Sequence, residues 1–150
     1  ELVEIVVSAH SLPARAKMMH TELALSERFC EAEPALLVSV LDNLYSNAVH
    51  YGAESGNIRI HSYRHGEQVR IDVINNGEPI PPAERNMIFE PFYQGSHQRK
   101  GAVKGSGLGL SIARDCVRQM QGELSLVDDK SGLICFRITL PVAESGKNNV

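Results

Sequence analysis

The chain has 150 residues, 43% of them hydrophobic and 22% charged, with a formal net charge of −3. Those proportions describe one ordinary globular domain, large enough to bury roughly two-thirds of its unfolded surface. The acidic balance argues against nucleic acid or a membrane surface as a general partner, and the cysteines, Cys30, Cys116 and Cys135, make neither a disulfide framework nor a metal spacing.

Such cysteines read as buried, reduced thiols in a cytosolic setting. No stretch is long and apolar enough to span a bilayer, and no signal peptide is visible. The chain starts without Met and in mid-pattern, so a piece of a longer protein is expected.

Along the chain, Leu2, Val3, Ile5, Val6 and Ala9 have helical spacing within residues 1–19, until Pro13 interrupts it. Residues 20–25 and 28–30 predict two short strands joined by Ser26-Glu27. Pro34 opens a strong helix to about Tyr51, at a position where a missing N–H costs nothing. Leu37, Leu41, Leu44 and Ala48 form its apolar face. Asn43, Asn47 and His50 share a neighbouring face, with Tyr51 at the boundary. Gly52 to Gly56 break the helix. Residues 57–63 and 68–74 then alternate as a β-hairpin turning at His65-Gly66. Ile58, Ile60 and Ser62 share one face of its first strand, and Val69, Ile71 and Val73 one face of its second.

Asn75-Asn76-Gly77-Glu78-Pro79 is a turn by composition. A short helix is expected after Pro81-Pro82, ending near Phe89. Residues 93–106 read as a long mobile loop, with Gly95, Ser96 and Gly101 for flexibility and Arg99, Lys100 and Lys104 for charge. A helix over 108–121 precedes a second hairpin, 123–127 and 133–140, and the polar tail from Ala143 is expected to fray. His10, His20, His61, His65 and His97 carry no ligand spacing.

Two of these stretches suggest chemistry. Asparagine is a poor helix-interior residue, because its amide competes for local backbone groups. A pair on one face beside a histidine is either a plain solvated face or a row of neutral oxygen donors for a hydrated Mg²⁺. The second stretch, Gly105-Ser106-Gly107-Leu108-Gly109-Leu110-Ser111-Ile112, alternates glycine and then becomes amphipathic. A loop of that kind lets a ligand touch main-chain amides and ends at the positive pole of a helix, a seat for phosphate. The plain alternative is a helix start, and the glycines match neither the P-loop nor the dinucleotide fingerprint.

Taken in order, these pieces resemble the ATP-binding catalytic domain of bacterial sensor histidine kinases, within the gyrase, heat-shock-chaperone, histidine-kinase and mismatch-repair ATPase superfamily. Residues 41–51, Leu-Asp-Asn-Leu-Tyr-Ser-Asn-Ala-Val-His-Tyr, are similar to its N box. Residues 75–81, Asn-Asn-Gly-Glu-Pro-Ile-Pro, sit where the first glycine box belongs. Ile88-Phe89-Glu90-Pro91-Phe92-Tyr93 resembles the F box, and residues 105–110 the second glycine box.

The resemblance implies a two-layer α/β sandwich of the Bergerat type, a mixed sheet of about five strands with about three helices on one face. The domain would span 1–142, with 143–150 a flexible tail. ATP and Mg²⁺ are the implied cofactors. Asn47 would coordinate the metal and Asn43 support it. Tyr51 would pack on the adenine, and His50 stands where the family has Lys or Arg, so bound phosphate would favour its imidazolium form. Asn75 replaces the family's adenine-binding Asp and Pro79 its second glycine, while Gly77 keeps close approach available. Ile80 and Phe92 would line the site, Phe89 and Phe92 anchor the lid, and Arg99, Lys100 and Lys104 reach the triphosphate. Gly105, Gly107, Leu108 and Gly109 would present amides to it.

In the gyrase-like members a Glu four residues before the metal Asn activates water. Here that place is Asn43, which cannot act as a base, and Asp42 points about 100° away around the helix. Rapid hydrolysis is not expected. The family's acceptor is a His followed by Asp or Glu on a dimeric helical hairpin, and none of the six histidines has that setting. The implied partners are therefore a phosphoacceptor hairpin of the same protein, outside this chain, and a response regulator. The fragment would be monomeric and unable to phosphorylate itself, the parent a homodimer anchored at a bacterial inner membrane. A nucleotide-binding regulatory module without transfer activity is the alternative, kept open by Asn75, Pro79 and His50, with a protein-serine kinase third.

Overall fold

A computed structural model describes residues 2–9, 14–15, 18–25, 33–77, 80–91, 109–127 and 133–142. Its elements are α1 (Leu2–Ala9), β1 (His20–Leu25), α2 (Pro34–Tyr51), β2 (Asn57–His65), β3 (Gln68–Asn76), a 3₁₀ turn at Pro82–Glu84, α3 (Gly109–Gln119), β4 (Glu123–Val127) and β5 (Leu133–Pro141). The five strands form one sheet ordered β1-β2-β3-β5-β4. β1 runs parallel to β2, as the intervening helix α2 allows, and every other pairing is antiparallel. The expected mixed five-stranded sandwich is what forms.

Period-two alternation decides which face the helices cover. Ile58 and Ile60 on β2, Val69, Ile71 and Val73 on β3, Leu124 on β4 and Phe136, Ile138 and Leu140 on β5 are all buried. Register places them side by side, Ile60 opposite Val73, Val73 opposite Phe136 and Ile71 opposite Ile138. α2 covers this face with a stripe wider than its spacing suggested: Val40, Tyr45 and Val49 are buried beside Leu37, Leu41, Leu44 and Ala48. Tyr45 keeps its phenol satisfied by a 2.6 Å hydrogen bond with Thr21 Oγ1 on β1. A buried hydroxyl without such a partner would cost about 1–3 kcal/mol.

The structure corrects three expectations. Asn75 and Asn76 are not in a turn; they are the last residues of β3, Asn75 opposite Ile58 and Ile134 and Asn76 opposite Leu133. Pairing with strands on both sides overrides a turn-like composition. The first hairpin turns one residue later than expected, at Gly66-Glu67, where Gly66 takes φ +62° and His65 pairs with Gln68. The helix expected up to Phe89 is one 3₁₀ turn followed by short-range bonds, Met87 N–H to Glu84 O and Glu90 N–H to Met87 O. Residues 28–30, 93–106, the second hairpin's turn and the tail from Ala143 lie outside the described residues. Cys116 and Cys135 are buried and in no disulfide.

Candidate functional site

Three chain segments converge where α2 ends. Gly52 N–H caps the helix onto Ala48 O at 2.9 Å, and Gly52 then bridges to Gly77 just past β3. Ala53 N–H donates to Asn76 O at 2.9 Å, and Asn57 N–H to Asn76 Oδ1 at 2.8 Å. A side chain at Gly52 would collide with Ala48 O and with Met19 Cε, so only glycine lets the segments meet this closely. The result is a backbone knot joining the N box to the first glycine box. Sequence reading did not single out Asn76, which ties it.

Asn43 and Asn47 are half-buried on α2, and His50 is exposed in its last turn. Tyr51 closes the helix, but its side chain is outside the described residues. Asn75 is 4% exposed and shares the helix-covered face with Ile58. Its Nδ2 donates to Asn76 O at 2.9 Å. Gly77 is in the bridge, and Ile80 is buried in the core cluster. Phe92, Arg99, Lys100, Lys104, Gly105, Gly107 and Leu108, with Pro79, lie outside the described residues.

Gly109 opens α3 against the asparagine face. A Cβ placed there would come within 3.3 Å of Asn43 Oδ1, tighter than ordinary van der Waals contact. Glycine therefore lets the first turn of α3, the positive end of its dipole, come next to the Asn43 amide oxygen on α2. Carbonyl-type oxygens beside a helix N-terminus suit a metal-bridged phosphate: the oxygens face the cation and the N–H groups the anion.

A second cluster, not anticipated from sequence, lies behind that turn. Phe89 packs edge-on against Phe136 with ring centroids 6.2 Å apart, and the Arg114 guanidinium lies over the Phe89 ring at 4.7 Å. Arg114 Nε also reaches Glu123 Oε1 at 3.4 Å, and Arg118 reaches the same carboxylate at 3.3 Å. Partial burial works to raise the Glu123 carboxyl, but hydrogen bonds from Arg118, Leu124 N–H and Arg114 outweigh it and hold the group below its ordinary value. No local spacing could announce a contact between residues on different elements.

Comparison with known proteins agrees with this geometry. Residues 32–144 match the family model described as "Histidine kinase-, DNA gyrase B-, and HSP90-like ATPase". The chain is 73% identical to the sensor histidine kinase GlrK of Escherichia coli strain K12, over 97% of this chain and 31% of that protein. It is 36% identical to the sensor protein KdpD of the same strain, over 87% of this chain and 13% of that one. It thus spans less than a third of these relatives. The nucleotide-free catalytic domain of histidine kinase ThkA superposes with TM-score 0.81 at 28% identity, covering 95% of this chain and 92% of that one. Full-length ShkA in complex with AMPPNP superposes with TM-score 0.80 at 26% identity, over 97% of this chain and 30% of that one. A 113-residue match, residues 32 to 144, and the same two-layer architecture settle the assignment: this chain belongs to the histidine kinase-, DNA gyrase B- and HSP90-like ATPase family.

Proposed function

We propose that this chain is the catalytic, nucleotide-binding part of a sensor histidine kinase, spanning residues 1–142 with a short tail. It binds ATP with Mg²⁺ and presents the γ-phosphate to a histidine on a dimeric helical hairpin elsewhere in the parent protein. A response regulator then receives the phosphoryl group on aspartate. The observation that carries this reading is the approach of Gly109 to Asn43 Oδ1, which sets a helix N-terminus beside an asparagine amide oxygen. ThkA has been solved in complex with the response regulator TrrA, and that structure superposes with TM-score 0.77 at 26% identity over 95% of this chain and 40% of that one.

The metal supplies charge neutralisation between the phosphates, which with positioning is most of what phosphoryl transfer asks of a protein. Asn47 is the proposed metal ligand and Asn43 its support. Asn75 Oδ1 is suited to accept a hydrogen bond from the adenine amine, Tyr51 and Ile80 would line the base, and Gly77 admits it closely. The amides of Gly105, Gly107, Leu108 and Gly109 would face the phosphates, with His50, Arg99, Lys100, Lys104 and Phe92 around them. Asn43 has no proton-accepting carboxylate, so water is not activated and ATP is held for its acceptor. No helix among the described residues is long and apolar enough to cross a membrane; the anchor of an inner-membrane sensor would belong to the rest of the parent.

The test adds this chain to a separately made dimerisation hairpin of the parent with γ-labelled ATP. Phosphohistidine should form, and Asn47→Asp should abolish it. Nucleotide binding without any transfer would instead identify a regulatory module.

A further inference from the structure

The cluster behind the first turn of α3 has a geometry that core packing does not require. Ala113, Cys116 and Val117 are the buried residues of α3. Arg114 lies off that stripe, with its side chain 32% exposed. Yet it is held from two directions, its face on the Phe89 ring and its edge on the Glu123 carboxylate. A planar guanidinium can stack and donate in its plane at once, which an ammonium cannot.

Its two neighbours are far apart in sequence but belong to one device. Phe89 immediately precedes, and α3 immediately follows, the chain between Pro91 and Gly109. Arg114 therefore joins the two flanks of that stretch, and Glu123 on β4 fixes the joint to the sheet through both Arg114 and Arg118.

We propose that Arg114 is a positioning residue for the phosphate end of the nucleotide: it clamps Phe89 to α3 and so fixes the first turn of α3, at Gly109, against Asn43. This rests on the nucleotide-binding reading above and deepens it. The adenine end is built differently, from the knot of Gly52, Asn76 and Gly77 where α2, β2 and β3 meet. Loosening the clamp should therefore weaken ligands that carry a triphosphate and spare those that do not.

Titrations of the whole chain with Mg²⁺-AMPPNP and with adenosine, followed by ¹H–¹⁵N NMR, test it. Arg114→Met should weaken AMPPNP about fivefold or more and change adenosine less than about twofold, with the urea midpoint nearly unmoved. Arg114→Lys should recover only part of the loss, because it keeps the charge over the ring without the planar edge. In a double-mutant cycle Arg114→Met and Phe89→Leu should be non-additive for AMPPNP. Equal loss of both ligands, no loss of AMPPNP, or strict additivity would each overturn the clamp. If the unsubstituted chain binds neither ligand, the nucleotide reading itself falls, a result visible before any variant is made.

Discussion

The two faces of the sheet are held by different physics, although the same strands build both. The helix-covered face is apolar from Ile58 to Leu140 apart from buried Ser62 and Asn75. The other face carries a buried carboxylate. Asp72 is 4% exposed and sits directly opposite Arg137, whose Nε and Nη2 donate to Oδ1 and Oδ2 at 2.9 and 3.2 Å. Tyr63 O–H adds a third bond, to Oδ2 at 3.0 Å. A two-residue slip would keep the apolar set facing the core, whereas a fork-to-carboxylate pair is met in one register only. We read the first face as the source of stability and the second as a register lock across β2, β3 and β5. It is not fully satisfied, since Arg70 Nε is buried without a partner among the described residues.

That contrast breaks first at the centre of the apolar face. Ile138 is fully buried between Ile71 and Leu124. Ile138→Ala removes its side chain and leaves a cavity, at a cost of about 2–5 kcal/mol in urea denaturation. Asp72→Asn on the other face should cost less, about 2 kcal/mol, because Arg137 keeps 24% of its side chain in water and is not stranded completely. Its distinctive mark should be exchange broadening of strand amides across β3 and β5, the sign of register heterogeneity, which Ile138→Ala should not produce. If Asp72→Asn left those amides unchanged, the lock would reduce to an ordinary ion pair.

The same contrast explains what could be read in advance. Alternation in 57–63 and 68–74 and the apolar stripe of residues 34–51 express solvent exposure directly, so sheet, helices and their common face were legible. The Asn43–Asn47 face followed from helical period alone. What stayed hidden depended on partners distant in the chain. Asp72 and Arg137 are 65 residues apart, and Phe89 meets Arg114 only because α3 lies over β5's Phe136. Asn75 and Asn76 misled because Asn-Asn-Gly favours a turn locally, while β2 and β5 flank Asn75 and β5 pairs Asn76, which keeps both extended.

The smallest effect sharpens the comparison by pH. Burial foremost, then the Asp72 charge and hydrogen bond, push the Tyr63 phenol above its ordinary value of 10.0, partly opposed by an Arg70 hydrogen bond. A raised pKa means that the folded state holds this proton more tightly. The contribution is therefore complete below the unfolded value and is lost as pH rises through the higher folded one. Tyr63→Phe should cost about 1 kcal/mol at neutral pH, the net worth of one hydrogen bond. Above the ordinary tyrosine value the gap to the unsubstituted protein should close, because the unsubstituted phenol must then ionise beside Asp72. Urea midpoints of the two proteins, measured in parallel at neutral and strongly alkaline pH, give the difference directly and cancel the titration of every other group. A gap that stayed constant would mean that Tyr63 contributes by packing alone, and the register lock would then rest on Asp72 and Arg137 without it.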